Sequence, residues 1–217
     1  MKKKFDLKDI NTLLYDGMSI SVGGFMVNGT SEVIIDAIVN SGVKDLTIVC
    51  NDGGYSDRGV GKLISSSQVK KLITSHIGLN PVVGELMSQN KLEVELVPQG
   101  TLAEKIRCGG NGLLGFYTPV GVGTDVEKGK EIKEVDGVKY IFETALKTDL
   151  SILQGDTIDK KGNMVYKKTS RNFNPLMAMN SKTVIASAKK CVKVGEIDPD
   201  IVITPHIFID YIVMEDC

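Results

Sequence analysis

Short apolar runs alternate with amphipathic stretches along most of the chain, which predicts repeated strand–helix units around a mostly parallel sheet. Residues 18–22 read as a first buried strand ending at Gly23-Gly24. Ser31 stands where it can cap a helix over 32–40, with Val33, Ile34, Ala37 and Ile38 on one face and Gly42 where a C-terminal glycine belongs. Residues 45–50 read as a second strand, and 51–61 as a glycine-rich loop.

The pattern continues with a strand over 69–75 and a helix over 80–90, opened by Asn80-Pro81. Residues 92–97 alternate apolar and acidic side chains as a half-buried strand does, and a helix over 102–107 follows. Glycines then crowd 109–123. Asp136-Gly137 between two β-prone runs predicts a hairpin over 132–142, an antiparallel excursion from the main sheet. Strand patterns resume at 150–154, 183–188 and 201–203. The expected fold is α/β: an open three-layer α/β/α arrangement, formed as a single domain over residues 1–217.

A net charge of −1 removes any global field that would draw nucleic acid or an anionic membrane. The basic runs at 2–4, 70–71, 160–161 and 167–168 are short enough to be solvated lysines. No stretch approaches the roughly 18 apolar residues of a membrane span. Cys50, Cys108, Cys191 and Cys217 are scattered with no C-x-x-C, so neither a metal site nor a disulfide framework is expected. Reduced thiols fit a cytoplasmic protein.

Several chemical motifs fail on context. The G-x-G-x-x-G match from Gly110 to Gly115 follows a predicted helix instead of a strand and opens no helix, which argues against NAD. Gly59-Val60-Gly61-Lys62 lacks a phosphate loop's other requirements, because Ser56 replaces the first glycine and Leu63 the Ser/Thr. His76 and His206 are the only histidines, and neither has a nucleophile or carboxylate at a catalytic spacing. A glycine-rich α/β chain so poor in histidine is suited to holding an anionic ligand with its backbone.

The segment from Asp16 to Thr30 (Asp-Gly-Met-Ser-Ile-Ser-Val-Gly-Gly-Phe-Met-Val-Asn-Gly-Thr) resembles the N-terminal signature of family I CoA-transferase α subunits. Ser21 inside the apolar triplet and Ser31 in place of the usual proline depart from it. The Pro98-Gln99-Gly100-Thr101 segment, the Phe116-Tyr117-Thr118-Pro119 segment and the Arg171-Asn172-Phe173-Asn174-Pro175 segment are similar to three further hallmarks, in the same order. The likeness is greatest to the acetate/butyrate–acetoacetate group.

The resemblance implies transfer of coenzyme A between a short-chain acyl-CoA (acetoacetyl-, acetyl- or butyryl-CoA) and a carboxylate, by a ping-pong route through a glutamyl-CoA thioester. It implies that Gly23, Gly24, Phe25, Met26, Val27, Asn28 and Gly29 contact CoA. It also implies that the Gln99 backbone N–H donates to the oxyanion. Asn51, Gly53, Gly54 and Gly100 are candidates for the same crevice, at the carboxyl ends of parallel strands. No Glu-Asn-Gly occurs here; Glu127 and Glu104 are surface look-alikes, so the nucleophilic glutamate is expected on a β subunit, in an α2β2 assembly. The competing expectation is a non-catalytic sugar-phosphate- or ligand-binding regulatory domain on the same scaffold.

Overall fold

The computed structural model describes residues 3–213; Cys217 and the first lysine of the 2–4 run lie outside them. In chain order the strands are β1 (Lys3–Lys4), β2 (Ser19–Val22), β3 (Leu46–Val49), β4 (Val69–Thr74), β5 (Glu93–Leu96), β6 (Gly115–Thr118), β7 (Ile132–Val135), β8 (Val138–Thr144), β9 (Thr148–Asp159), β10 (Met164–Val165), β11 (Ser181–Val192) and β12 (Tyr211–Val213). The helices are α1 (Glu32–Ser41), α2 (Val60–Ser65), α3 (Pro81–Ser88), α4 (Gln99–Gly110) and α5 (Asn174–Met177).

The main sheet runs β1-β12-β11-β9-β2-β3-β4-β5 with every pair parallel, and β10 adds to β9 antiparallel. Because successive strand side chains face opposite ways, neighbours in one strand serve different cores. Ile48, Leu72 and Ile152 join α1 and α2 through Ile34, Ile38 and Leu63. Val49, Ile73 and Leu153 join α4 and α5 through Leu102, Ile106 and Met177. This is the three-layer fold the pattern implied. The hairpin at Asp136-Gly137 is present as β7 and β8, and β6 completes a separate antiparallel sheet ordered β6-β8-β7.

The structure departs from the expected elements in five places. A helix, α2, begins within the 51–61 loop; Gly59 and Gly61 hide it, but burial of Val60, Leu63 and Ile64 outweighs their poor propensity. Residues 201–203 form no strand, because Pro199 follows Asp198 into a tight 3-10 turn; β12 forms the closing strand instead. Ser31 occupies the residue before α1, yet its hydroxyl makes no cap bond and meets Ser187 Oγ at 2.6 Å. By contrast, Gly42 ends α1 in the left-handed conformation, as expected. β9 and β11 are longer than their apolar cores suggested. Finally, α4 starts at Gln99, three residues before the expected helix, which places Gln99 in its first turn.

Candidate functional site

β2 and β3 end side by side, and their following loops turn toward each other. After β2, Gly24 takes φ 136°, and a Cβ there would fall 1.9 Å from Thr30 Oγ1. Phe25 and Asn28 then exchange both backbone hydrogen bonds, 3.1 and 3.0 Å, closing a two-residue turn over Met26 and Val27. Both turn residues have positive φ, 48° and 60°, the geometry of the mirror-image hairpin turns. Phe25 and Met26 expose about two fifths of their surface at the tip.

Side chains from the far end of the sequence secure this loop. Asn172 accepts the Gly24 N–H at 3.1 Å and donates to Asn28 O at 2.8 Å. Asn174 donates to Gly29 O at 3.0 Å, and Asn28 donates to Thr169 Oγ1. Sequence reasoning gave Asn172 and Asn174 no role, although both stand in the fourth resemblance segment.

Asp52, which the sequence reading passed over, joins the second loop to the first. The Met26 N–H donates to its Oδ2 at 2.7 Å, Asn51 Nδ2 donates to the same oxygen at 2.9 Å, and the Gly54 N–H donates to Oδ1 at 3.0 Å. Asn51 reaches the third element, since Gln99 Nε2 donates to Asn51 Oδ1 at 2.6 Å. Asn51 and Asp52 are buried, whereas Gln99 and Gly100 are exposed. The Gln99 and Gly100 N–H groups belong to the first turn of α4, where no intrahelical acceptor exists, and no acceptor meets them among the described residues.

Of the residues singled out from sequence, Gly23, Gly24, Val27, Asn51 and Gly54 thus surround one point, with Met26 and Gln99 tied in by hydrogen bonds. Gly53 is buried beneath, its N–H donating to His76 O and its α-carbon turned toward Val83. Beside the loop lies a cleft of about 580 Å³, lined by Val27, Asn28 and Gly29 and by Lys167, Lys168 and Lys189. These lysines make no ion pair among the described residues.

Glu104 pairs with Arg107 at 2.8 Å on the face of α4, and Glu127 Oε2 accepts the Gly123 N–H at 2.6 Å in an exposed turn. Neither shares the network around Asn51. Gly110 to Gly115 runs from the end of α4 into β6, so it opens no helix. Among the described residues no group of three His, Cys, Asp or Glu side chains could hold a metal, and no helix is long and apolar enough to cross a membrane.

A parallel sheet with glycine loops and a bare helix start at the carboxyl ends of its strands defines an α/β protein. The chain belongs to the coenzyme A transferase family: the family model described as "Coenzyme A transferase" matches residues 7–215. It is 47% identical over 208 residues to the acetoacetyl-CoA:acetate/butyrate CoA transferase alpha subunit of Clostridium acetobutylicum, covering 96% of this chain and 95% of that one. The acetate CoA-transferase subunit alpha of Escherichia coli is 44% identical over 212 residues, covering 98% and 96%. Among solved structures, an acyl-CoA transferase from Escherichia coli in thioester complex with CoA superposes with TM-score 0.86 at 20% identity; the match covers 99% of this chain and 47% of that longer one. Glutaconate coenzyme A-transferase from Acidaminococcus fermentans superposes with TM-score 0.80 at 20% identity, covering 98% and 75%. These likenesses support the expected fold, and the sequence relatives support CoA-transferase over the regulatory alternative.

Proposed function

We propose that this chain is the α subunit of a heteromeric CoA-transferase that moves CoA between a short-chain acyl-CoA and a carboxylate, with acetoacetyl-CoA, acetate and butyrate as the first substrates to test. The observation that carries this reading is the convergence of the 23–29 loop, Asn51 and the start of α4 in one hydrogen-bonded group. In the proposal, the loop from Gly23 to Gly29 contacts CoA. The free Gln99 N–H donates to the oxyanion that forms when a carboxylate attacks the thioester carbonyl, and again when the released CoA thiolate attacks the anhydride carbonyl. Helix-start N–H groups carry partial positive charge and stay fixed during the reaction, which suits a charge present only at the tetrahedral stage.

The chemistry needs a nucleophilic glutamate. Glu104 and Glu127 are committed elsewhere on the surface, so a β subunit supplies it, and the assembly is α2β2 in the cytoplasm. Coenzyme A enters as a substrate, and the route proposed needs neither metal nor NAD. The test is co-expression with a β partner carrying a Glu-Asn-Gly segment, followed by assay of acetoacetyl-CoA with acetate and butyrate. The complex is expected to transfer CoA and the isolated chain to be inactive. A complex that transfers CoA to no short carboxylate, yet binds a sugar phosphate, overturns the proposal.

A further inference from the structure

We infer that Asp52 is a positioning residue that couples the turn over Met26 and Val27 to the start of α4. The turn is costly to hold. Neither Met26 nor Val27 is glycine, and β-branched Val27 at φ 60° is especially ill-suited to that region. A residue so placed persists only where its surroundings over-determine it. Asp52 Oδ2 takes the N–H of Met26, the first of the pair, at 2.7 Å.

The same carboxylate orients an amide. Asn51 has two faces, a carbonyl and an NH2, and either could point at α4. Asp52 Oδ2 takes Asn51 Nδ2 at 2.9 Å, which leaves Oδ1 to accept from Gln99 Nε2 at 2.6 Å. Asp52 Oδ1 is engaged by the Gly54 N–H. Every contact in the series Met26, Asp52, Asn51, Gln99 therefore sets an N–H against an oxygen. No cation lies within ion-pair distance of Asp52 among the described residues, so amide donors alone meet it. Met26 and Asn51 share one oxygen, so asparagine at position 52 could hold both with its Oδ1 and set its NH2 against the Gly54 N–H alone; only a side chain without an acceptor breaks the series.

The inference rests on the proposed function, in which the turn meets CoA and the Gln99 N–H meets the oxyanion. Asp52 touches neither; it makes placement of the CoA loop and alignment of the helix start a single event.

The test is a double-mutant cycle in the complex with the β partner. Asp52→Ala removes both acceptors and breaks the series at its centre, and Gln99→Met deletes Nε2 while keeping the backbone N–H. Gln99→Met alone should lower kcat and leave KM for acyl-CoA in place, whereas Asp52→Ala should raise KM and lower kcat together. The double variant should lose no more kcat than Asp52→Ala alone, a departure from independence of about fivefold or more. Losses that multiply, in a parent complex that is active, overturn this inference and leave the proposed function standing. A parent complex with no transferase activity overturns both. If Asp52→Ala does not assemble, Val27→Gly takes its place in the cycle, because a slack turn reaches Gln99 only through Asp52. Multiplying losses there also overturn the inference.

Discussion

The side-chain amide of Gln99 donates to Asn51 Oδ1 across 2.6 Å, joining the first residue of α4 to the second residue after β3. That bond uses the side chain and leaves the Gln99 backbone N–H free, so two variants separate the roles: Gln99→Met loses the bond alone, Gln99→Pro loses both, and the difference between them reads the N–H. Gln99→Pro removes the N–H at a helix position that tolerates proline, and Pro98 already has the extended conformation a following proline requires, φ −51° and ψ 134°. Helix content and assembly with the β partner should persist, while kcat falls about 10²–10³-fold. Steady-state kinetics beside circular dichroism checks this; an unchanged kcat removes Gln99 from the site.

Gly24→Ala should damage the loop twice. The added methyl meets Thr30 Oγ1, and alanine must hold φ 136°. The strained backbone costs about 1–3 kcal/mol, so melting falls by several degrees and KM for acyl-CoA rises. Adding Thr30→Ala clears the collision and leaves the strained φ. Recovery of melting should therefore be partial, and full recovery would show that the backbone term is absent.

Glu143 is buried, with Lys105 Nζ at 3.3 Å on one oxygen and Lys130 Nζ on the other. Glu143→Gln leaves the buried Lys105 ammonium with only Glu95 among the described residues, 4.0 Å away. The expected loss is about 3–5 kcal/mol, the usual cost of breaking a buried pair from one side. Replacing Lys105 with Met as well should return part of that loss. Urea unfolding of the three variants decides, and a double variant no better than the single would contradict the account.

Asp149 yields a pH dependence. Its burial alone would raise the carboxyl, but the Lys182 ammonium and the Ser19 N–H and hydroxyl outweigh burial and hold it well below the usual carboxylate range. The group is depressed in the folded state. Its contribution is therefore present above the unfolded carboxylate value, near 3.9, and is lost as pH falls below it. Asp149→Asn should be less stable than wild type at neutral pH, and the gap should narrow steadily as pH falls from about 4 to about 2. A gap that is constant across this range would show that Asp149 does not titrate in the way its neighbours dictate.

Much of the fold could be read from the apolar periodicity because the central parallel strands β2, β3 and β9 are largely buried and so read as apolar runs. What escaped had local causes. α2 is short and begins next to Gly59, so its helical character comes from packing. The 3-10 turn at Pro199 carries isoleucines that look like strand residues until the proline is weighed. In the candidate site, Gly23 to Gly29 and Gln99 were visible from the resemblance and Asn51 from its place at the carboxyl end of a strand, and hydrogen bonds link the three segments. Asn172, Asn174 and Asp52 were not assigned, since their contacts are side-chain bonds across 26 to 148 positions of sequence, which periodicity does not record.

The antiparallel sheet is fastened to α4 where Lys105 meets Glu143 and where the Leu146 N–H donates to Lys105 O at 2.9 Å. Lys105 lies six residues beyond Gln99, roughly 9 Å along the axis at 1.5 Å per residue. The helix is thus gripped near its middle by that sheet, while Leu102 in the core and the Gln99–Asn51 bond hold its first turn beside the end of β3. The outer sheet, with Tyr117 and Val135 facing solvent, is thus a mounting for α4: loosening it should loosen the whole helix from its middle outward.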